Sequence, residues 1–343
     1  MARASTVANV PLAPAVGVGP GDEIARSGAV RCAVSLVIPT YNGKHLLPVC
    51  LGAIQRQGRL PDETIVVDDA SADGTRDLLN SSYPWVTVVE HEQNRGFAAA
   101  ANTGMRAAKG DVIVLLNNDT EADSGWLAAL VAPLEADPRI GFCASKLLLF
   151  DRRDHLHSAG DGYSVGGVPV NRGAWGRDDG RYDRPEPVFG ACAGAAAYRR
   201  ALLEDLGGFD EWLVSYLEDV DLNWRAQLRG YRCQFVPSAR VYHHVSASGG
   251  GVRPSFYCGR NFLLVLASDV PGPLLRRHWG MIVRQQGAIL LGALRHACEP
   301  AARARLAGFV AGLGLLPAAL RRRRQIQAGR VVPIAYLEQL LSP

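Results

Sequence analysis

Polar side chains able to do chemistry gather at five places in this chain: Thr40-Tyr41-Asn42, Asp68-Asp69, Asn117-Asn118-Asp119, the acidic run Glu218-Asp219-Val220-Asp221, and His243-His244. Carboxylates can hold a divalent cation through hard oxygens or take a proton from a reacting hydroxyl. Several of these residues also have a plainer use. Ser215, three residues ahead of Glu218, has the spacing of a capping box. Acids in a first helical turn suit the helix dipole, and Asp221 and Arg225 are spaced to pair on a helix surface. Asn117 and Asn118 are ordinary strand-ending turn formers, and Tyr41 alone reads as a half-buried turn residue. Once these uses are assigned, Asp219 is the acid with the least structural explanation.

The elements that must position these groups start at Ala33. "AVSLVIPTYNG" reads as a buried strand running into a turn, and a helix is expected over 46–57. "ETIVVDDAS", "WVTVVEH" and "DVIVLLNND" read as three further strands, with helical patterns around 75–79 and 98–108. Strands and helices alternating at this spacing predict an α/β fold whose parallel sheet is covered on both faces. Such sheets bind ligands beyond the carboxyl ends of their strands. The clusters at 40–42, 68–69 and 117–119 end three different strands, so the fold carries all three to one edge. Leu217, Val220, Trp224 and Leu228 recur at helical spacing, which predicts an amphipathic helix with Trp224, like Trp212, in the core. Neither GxGxxG after the first strand nor GxxxxGK[ST] occurs, which counts against a dinucleotide-binding dehydrogenase and a P-loop NTPase.

A hydrophobic fraction of 48% with 20% charged residues describes an ordinary globular chain. The seven cysteines include no CxxC pair, which argues for reduced thiols in a cytoplasmic compartment and against a disulfide framework or zinc site. The net charge of +4 is unevenly spread: residues 269–343 hold eleven arginines against Asp269, Glu299 and Glu338, leaving +8 there and −4 on the remainder. A basic tail points to a polyanionic partner, first an anionic membrane leaflet; no zinc finger or RNP-type motif speaks for nucleic acid. The tail reads helical. Its longest uncharged run, 306–320, contains Pro317 and falls short of the roughly 20 residues of a spanning helix. Helices lying in a membrane interface, or an appendage packed on the catalytic domain, are the two readings of it. Residues 1–32 lack the pattern of a secretory signal and read as an unstructured extension.

Taken in order, "VIPTYNG", "IVVDDASADGT", "NRGFAAAANTG", "VLLNNDT", "LGGFDEWLVSYLEDVDLNWRAQLRGYR" and "VYHHVSASGG" resemble the motifs of family 2 glycosyltransferases, with the rhamnosyltransferase-like branch nearest. The resemblance implies a GT-A fold over 33–268, a nucleotide-sugar donor, a divalent cation (Mn²⁺ or Mg²⁺) and inversion at the anomeric carbon. It places Pro39, Tyr41 and Asp69 at the nucleobase, with Asn42, Asn102 and Asn118 as further donor contacts. It makes Asp119 a metal ligand, with Asn117 departing from the family's first Asp, and has His243 reach the cation or diphosphate. Adjacent strand residues face opposite ways, so the sequence leaves His243 and His244 undecided. Imidazole suits Mn²⁺ better than Mg²⁺. The second acid of the "ED" pair, Asp219, becomes the proton acceptor, with Glu218 and Arg225 in support, and residues 207–211 shape the acceptor side.

The expected protein is thus a cytoplasmic or inner-face peripheral enzyme of polysaccharide or cell-wall assembly. It moves a sugar, rhamnose first, from a dTDP- or UDP-sugar to a glycan or lipid-linked saccharide, and binds no nucleic acid. A sugar nucleotidyltransferase would carry a glycine- and basic-rich loop where "PTYNG" stands. A non-catalytic carbohydrate-binding protein would lack the acids Asp69, Asp119 and Asp219.

Overall fold

The four apolar runs form the parallel half of one large sheet in the computed structural model, which describes residues 31–245 and 251–343. Strands β1 (Val34–Thr40), β2 (Glu63–Asp68), β3 (Thr87–Glu90) and β4 (Val112–Leu116) lie in the order β4-β1-β2-β3, every neighbour parallel. Between them run α1 (Leu47–Gln55), α2 (Thr75–Ser82) and α3 (Phe97–Ala107). Val34, Leu36 and Ile38 pack with α1 and with α4 (Trp126–Ala136), while Val37 packs with α3. That alternation along β1 is what two covered faces require.

Beyond β4 the sheet becomes mixed. β5 (Thr120–Ala122) follows at once, then β6 (Ile140–Leu149), β7 (Leu156–Ala159), β8 (Asp161–Ser164), β9 (Pro169–Asn171), β10 (Glu186–Val188), β11 (Ala195–Arg199) and β12 (Arg232–His243), of which β8 and β9 belong to a separate small sheet. β11 inserts antiparallel between β4 and β6, and β12 lies parallel to β6. Helices α5 (Arg200–Leu206) and α6 (Glu218–Leu228) lie between β11 and β12. The capping box expected at the start of α6 does not form. Leu217 is the N-cap in a left-handed conformation without a side-chain cap, and the Ser215 hydroxyl instead accepts from Phe97 N–H at 3.2 Å.

The tail is helical, as α7 (Val252–Ser268), α8 (Gly272–Arg295), α9 (Pro300–Ala328) and α10 (Ile334–Leu340), ending in β13 (Leu341–Ser342) paired to β8. It is not a separate body: residues 32–343 form one compact unit. Trp224 meets Tyr163 and Phe189 edge-on, each at 5.0 Å, in a core shared with Leu264, Leu274, Ala319 and Leu337. A boundary at 268/269 therefore cuts a common core, and Asp269 is wholly buried. The extension expected over 1–32 lies, up to residue 30, outside the described residues.

α9 also corrects the tail's membrane arithmetic. It continues through Pro317 for 29 residues and is long and apolar enough to cross a membrane by length and composition. The uncharged run ends at Arg305 and Arg321, whereas the helical backbone continues past both. Ala304, Gly308, Gly312 and Ala319 are its buried residues, and Gly308 lies directly against the Phe256 carbonyl of α7. Alanine normally favours a helix over glycine by ~1 kcal/mol. Here an added Cβ would collide with backbone, so Gly308→Ala is expected to destabilise the fold by roughly 1–3 kcal/mol, read by urea unfolding. Unchanged or raised stability would contradict this packing.

Candidate functional site

A cleft of about 460 Å³ opens at the carboxyl ends of β1, β2 and β4, lined among others by Pro39, Tyr41, Asn42, Asp69, Asn118 and Asp119. Tyr41 presents an exposed ring there, while Asp69 is buried. The Asp69 carboxylate organises the rim: it accepts from Arg95 N–H at 2.9 Å, Gly96 N–H at 2.8 Å and His91 Nδ1 at 2.7 Å. Gly96 is at φ 88°, and a Cβ there would stand 2.7 Å from the Val214 carbonyl oxygen. Only glycine fits that left-handed close approach. Asn42 Oδ1 accepts from Ala72 N–H at 2.9 Å, and Asn118 Nδ2 donates to Thr40 Oγ1 at 2.7 Å, which ties the ends of β1, β2 and β4 together. Ser215 and Tyr216, just ahead of α6, line the same cleft, as do His45 and Arg253.

At the cleft's inner end the two histidines part company, and His243 is the one beside Asp119. It is buried with Nε2 3.1 Å from Asp119 Oδ1, whereas His244 stacks on Phe150 with centroids 3.5 Å apart. A small octahedral cation holds its ligands at roughly 2.0–2.1 Å, which sets neighbouring ligand atoms about 3 Å apart. The Asp119 and His243 atoms already have that separation, so oxygen plus imidazole fit a cation such as Mn²⁺. His243 Nδ1 lies 3.1 Å from His157 Nδ1. Burial, with His243 beside it, pushes the His157 imidazole down to about 4, so it is neutral at pH 7. In the tautomer where His243 donates from Nδ1, its Nε2 lone pair is left for a cation, the usual role of an outer partner of a ligating histidine.

Asp219 is half-buried at the start of α6 and does not line the cleft, but one loop joins it to it. Asp219 Oδ2 accepts from Ala193 N–H at 3.3 Å and Oδ1 from Val220 N–H at 2.8 Å, while the next residue, Gly194, accepts from Asn117 N–H at 2.8 Å. Burial raises the Asp219 carboxyl above the usual range. Glu218 is buried, with Oε2 bearing no hydrogen bond, and burial plus the Asp219 charge pushes it up to about 8. Val214, Tyr216 and Leu217 just before it all have φ near 67°, unusual for residues with a Cβ and frequent where a site is held under strain.

Two expected site residues fall elsewhere. The Asn102 side chain is spent on a clasp: Nδ2 donates to Phe209 O at 2.8 Å and Oδ1 accepts from Phe209 N–H at 2.8 Å, fixing the 207–211 turn outside the cleft. Arg225 pairs with Asp221 at 2.8 Å and with the Leu206 and Gly208 carbonyls, so it braces α6 from within rather than pairing on the surface or meeting Asp219. Trp224 is in the core as expected. His157, Asp161 and Cys192 were missed because no local spacing connects them to the site; only strand pairing does.

A family model described as Glycosyl transferase family 2 matches residues 35–207, half of the chain, and ends before Asp219. The chain is 29% identical to the pre-mycofactocin glycosyltransferase of Mycobacterium tuberculosis, over 63% of this chain and 44% of that protein. It is 28% identical to that organism's N-acetylglucosaminyl-diphospho-decaprenol L-rhamnosyltransferase, over 63% of this chain and 77% of that protein. The chain thus spans less than half the length of the first of these. Among solved structures, the mannosyltransferase PcManGT from Pyrobaculum calidifontis, in complex with GDP-Man and Mn²⁺, superposes with a TM-score of 0.52 at 22% identity, over 90% of this chain and 88% of that one. That likeness establishes the fold, a GT-A arrangement with C-terminal helices.

Proposed function

The chain belongs to glycosyl transferase family 2, and on that premise we propose that it transfers a sugar, with inversion, from a nucleoside-diphosphate donor to a hydroxyl of a saccharide acceptor. Tyr41 offers its ring face to the nucleobase, and Asp69, already anchored by backbone N–H groups, turns remaining acceptor capacity to the base's N–H. Asp119 and His243 would hold a divalent cation, which would supply Lewis-acid neutralisation of charge on the diphosphate. Asp219 takes the acceptor's proton as its oxygen bonds to the anomeric carbon and the bond to the diphosphate breaks, its electron pair leaving with the diphosphate. The observation that carries this reading is the link from Asp119 through Asn117 and the 192–194 loop to Asp219. Melting temperature is the test: nucleoside diphosphates with Mn²⁺ or Mg²⁺ should raise it, because only ligands of the native state do so. No shift with any diphosphate would argue against it.

dTDP-rhamnose is the first donor to try and a lipid-linked saccharide the first acceptor, in line with the rhamnosyltransferase relative. A lipid-linked acceptor requires a membrane face, and α8 supplies a candidate on the inner leaflet. Trp279, Val283, Leu291 and Leu294 are exposed at helical spacing, with Arg276, Arg277, Arg284 and Arg295 also exposed on the same helix. Burying one such large side chain contributes ~1.5–3 kcal/mol. Trp279→Ser with Leu294→Ser should therefore weaken flotation with anionic liposomes by roughly tenfold or more. Equal flotation of variant and wild type would end the membrane reading.

A further inference from the structure

Oxygen atoms of Asp161 and Asp219 and the Cys192 thiol all lie within 4.8 Å of one another. Building on the reading of Asp219 as proton acceptor, we propose that Asp161 is a positioning residue: a buried acid that shares charge and proton with Asp219 and thereby sets how strong a base Asp219 is.

The placement is constructed rather than incidental. Asp161 heads β8, and its backbone exchanges both hydrogen bonds with Gly190, Asp161 N–H to Gly190 O at 2.9 Å and Gly190 N–H to Asp161 O at 3.0 Å. That pairing staples β8 to the start of the loop whose Ala193 N–H holds Asp219. Ser158 Oγ donates to Asp161 Oδ1 at 2.6 Å and fixes the carboxyl. The groups facing the pair give it little positive charge. From α6 comes Glu218, from the loop the Cys192 thiol, and from β11 the Tyr198 hydroxyl, itself buried without a hydrogen-bond partner. From beyond β9 comes Arg172, whose guanidinium is engaged by the Ala159 carbonyl and Glu186. Among the described residues no ion pair is formed by Asp161 or Asp219.

Two carboxyls this close and this buried do not both ionise readily; they titrate in two steps that belong to the pair. Asp219 accepts two backbone N–H bonds, which favour its charged form, while Asp161 has one hydroxyl donor. Burial and the Asp219 charge push Asp161 up to about 7. Through the lower step Asp219 becomes ionised and Asp161 keeps its proton. Above the upper step Asp161 is charged too, and a like charge raises the proton affinity of Asp219, making it the stronger base.

The test is the pH dependence of kcat on the full chain. Wild type should rise in two steps, the upper one near neutrality. Asp161→Asn imitates the protonated acid at every pH, so it should keep the lower step, lose the upper one and level off roughly threefold to tenfold below wild type, with donor KM and melting temperature unchanged. Should that variant fold poorly, Ser158→Ala supplies the second arm: without its donor the charged form of Asp161 is disfavoured, and the upper step should move to higher pH. A uniform loss of kcat with both steps in place would mean that Asp161 only staples the strand, and would overturn the proposal. Asp219→Asn separates this from the reading beneath it. If that variant is inactive while Asp161→Asn keeps both steps, only the Asp161 proposal falls; if it turns over fully, the base assignment falls, and this proposal with it.

Discussion

Asp219→Asn is expected to lower kcat by about 10²–10⁴-fold while leaving metal-dependent donor binding at its wild-type value. The amide matches the carboxylate in shape and keeps one acceptor for the Val220 N–H, the shorter of its two bonds at 2.8 Å; only the 3.3 Å bond from Ala193 is weakened. The start of α6 should therefore hold. What the amide lacks is a basic oxygen, so the acceptor hydroxyl must shed its proton to water as it attacks. Asp219 also stands apart from the residues lining the donor cleft, so the loss should fall on kcat and not on donor affinity. Single-turnover transfer and nucleotide titration on the same preparation separate the two. Reduced donor affinity with unchanged chemistry would mean that Asp219 shapes the cleft instead.

The second large effect concerns Asp119. In Asp119→Ala, nucleotide affinity in Mn²⁺ should fall to the metal-free value, and the affinity for the cation itself by roughly 100-fold or more, beyond the range seen for loss of an outer partner. Asp119 is buried and contributes the only carboxylate near His243 Nε2 among the described ion pairs, so no second acid takes its place. Chelation should silence wild-type transfer, and Mn²⁺ should restore it better than Mg²⁺ because one ligand is an imidazole. Donor titrations with and without each cation read this out. A variant whose nucleotide binding still gains from Mn²⁺ would move the cation elsewhere.

Much of the donor half was legible because it rests on local rules. Each of the first four strands is a short apolar run ending in polar residues, and topology alone carries Tyr41, Asp69 and Asp119 to one edge. The mixed half was not. β11 reads Ala-Ala-Ala-Tyr-Arg, a composition that favours helix, yet it becomes a central strand between β4 and β6; tertiary fit overrides a weak local preference. Asp161 and His157 stand on short strands that pair with near neighbours in the chain, but the residues they meet, Asp219 and His243, come from α6 and β12 much further along, so that nearness is a product of how β12 returns beside β6. Asn102 falls outside the cleft, and Arg225 pairs with Asp221 at the expected i,i+4 spacing but inside the fold, not on its surface. In both cases nearby backbone carbonyls claim the side chain, Phe209 that of Asn102, Leu206 and Gly208 that of Arg225. The capping spacing at Ser215 misled likewise, because the left-handed turn at 216–217 points that hydroxyl at Phe97.

A crystal structure with Mn²⁺ and thymidine or uridine diphosphate is the most direct measurement. The expected result is an anomalous peak between Asp119 and His243, the base against Tyr41 and Asp69, and the Asp219 carboxylate facing the diphosphate across space for one sugar. A diphosphate outside this cleft, or Mn²⁺ held by Asp161, Cys192 and Asp219 instead, would contradict it.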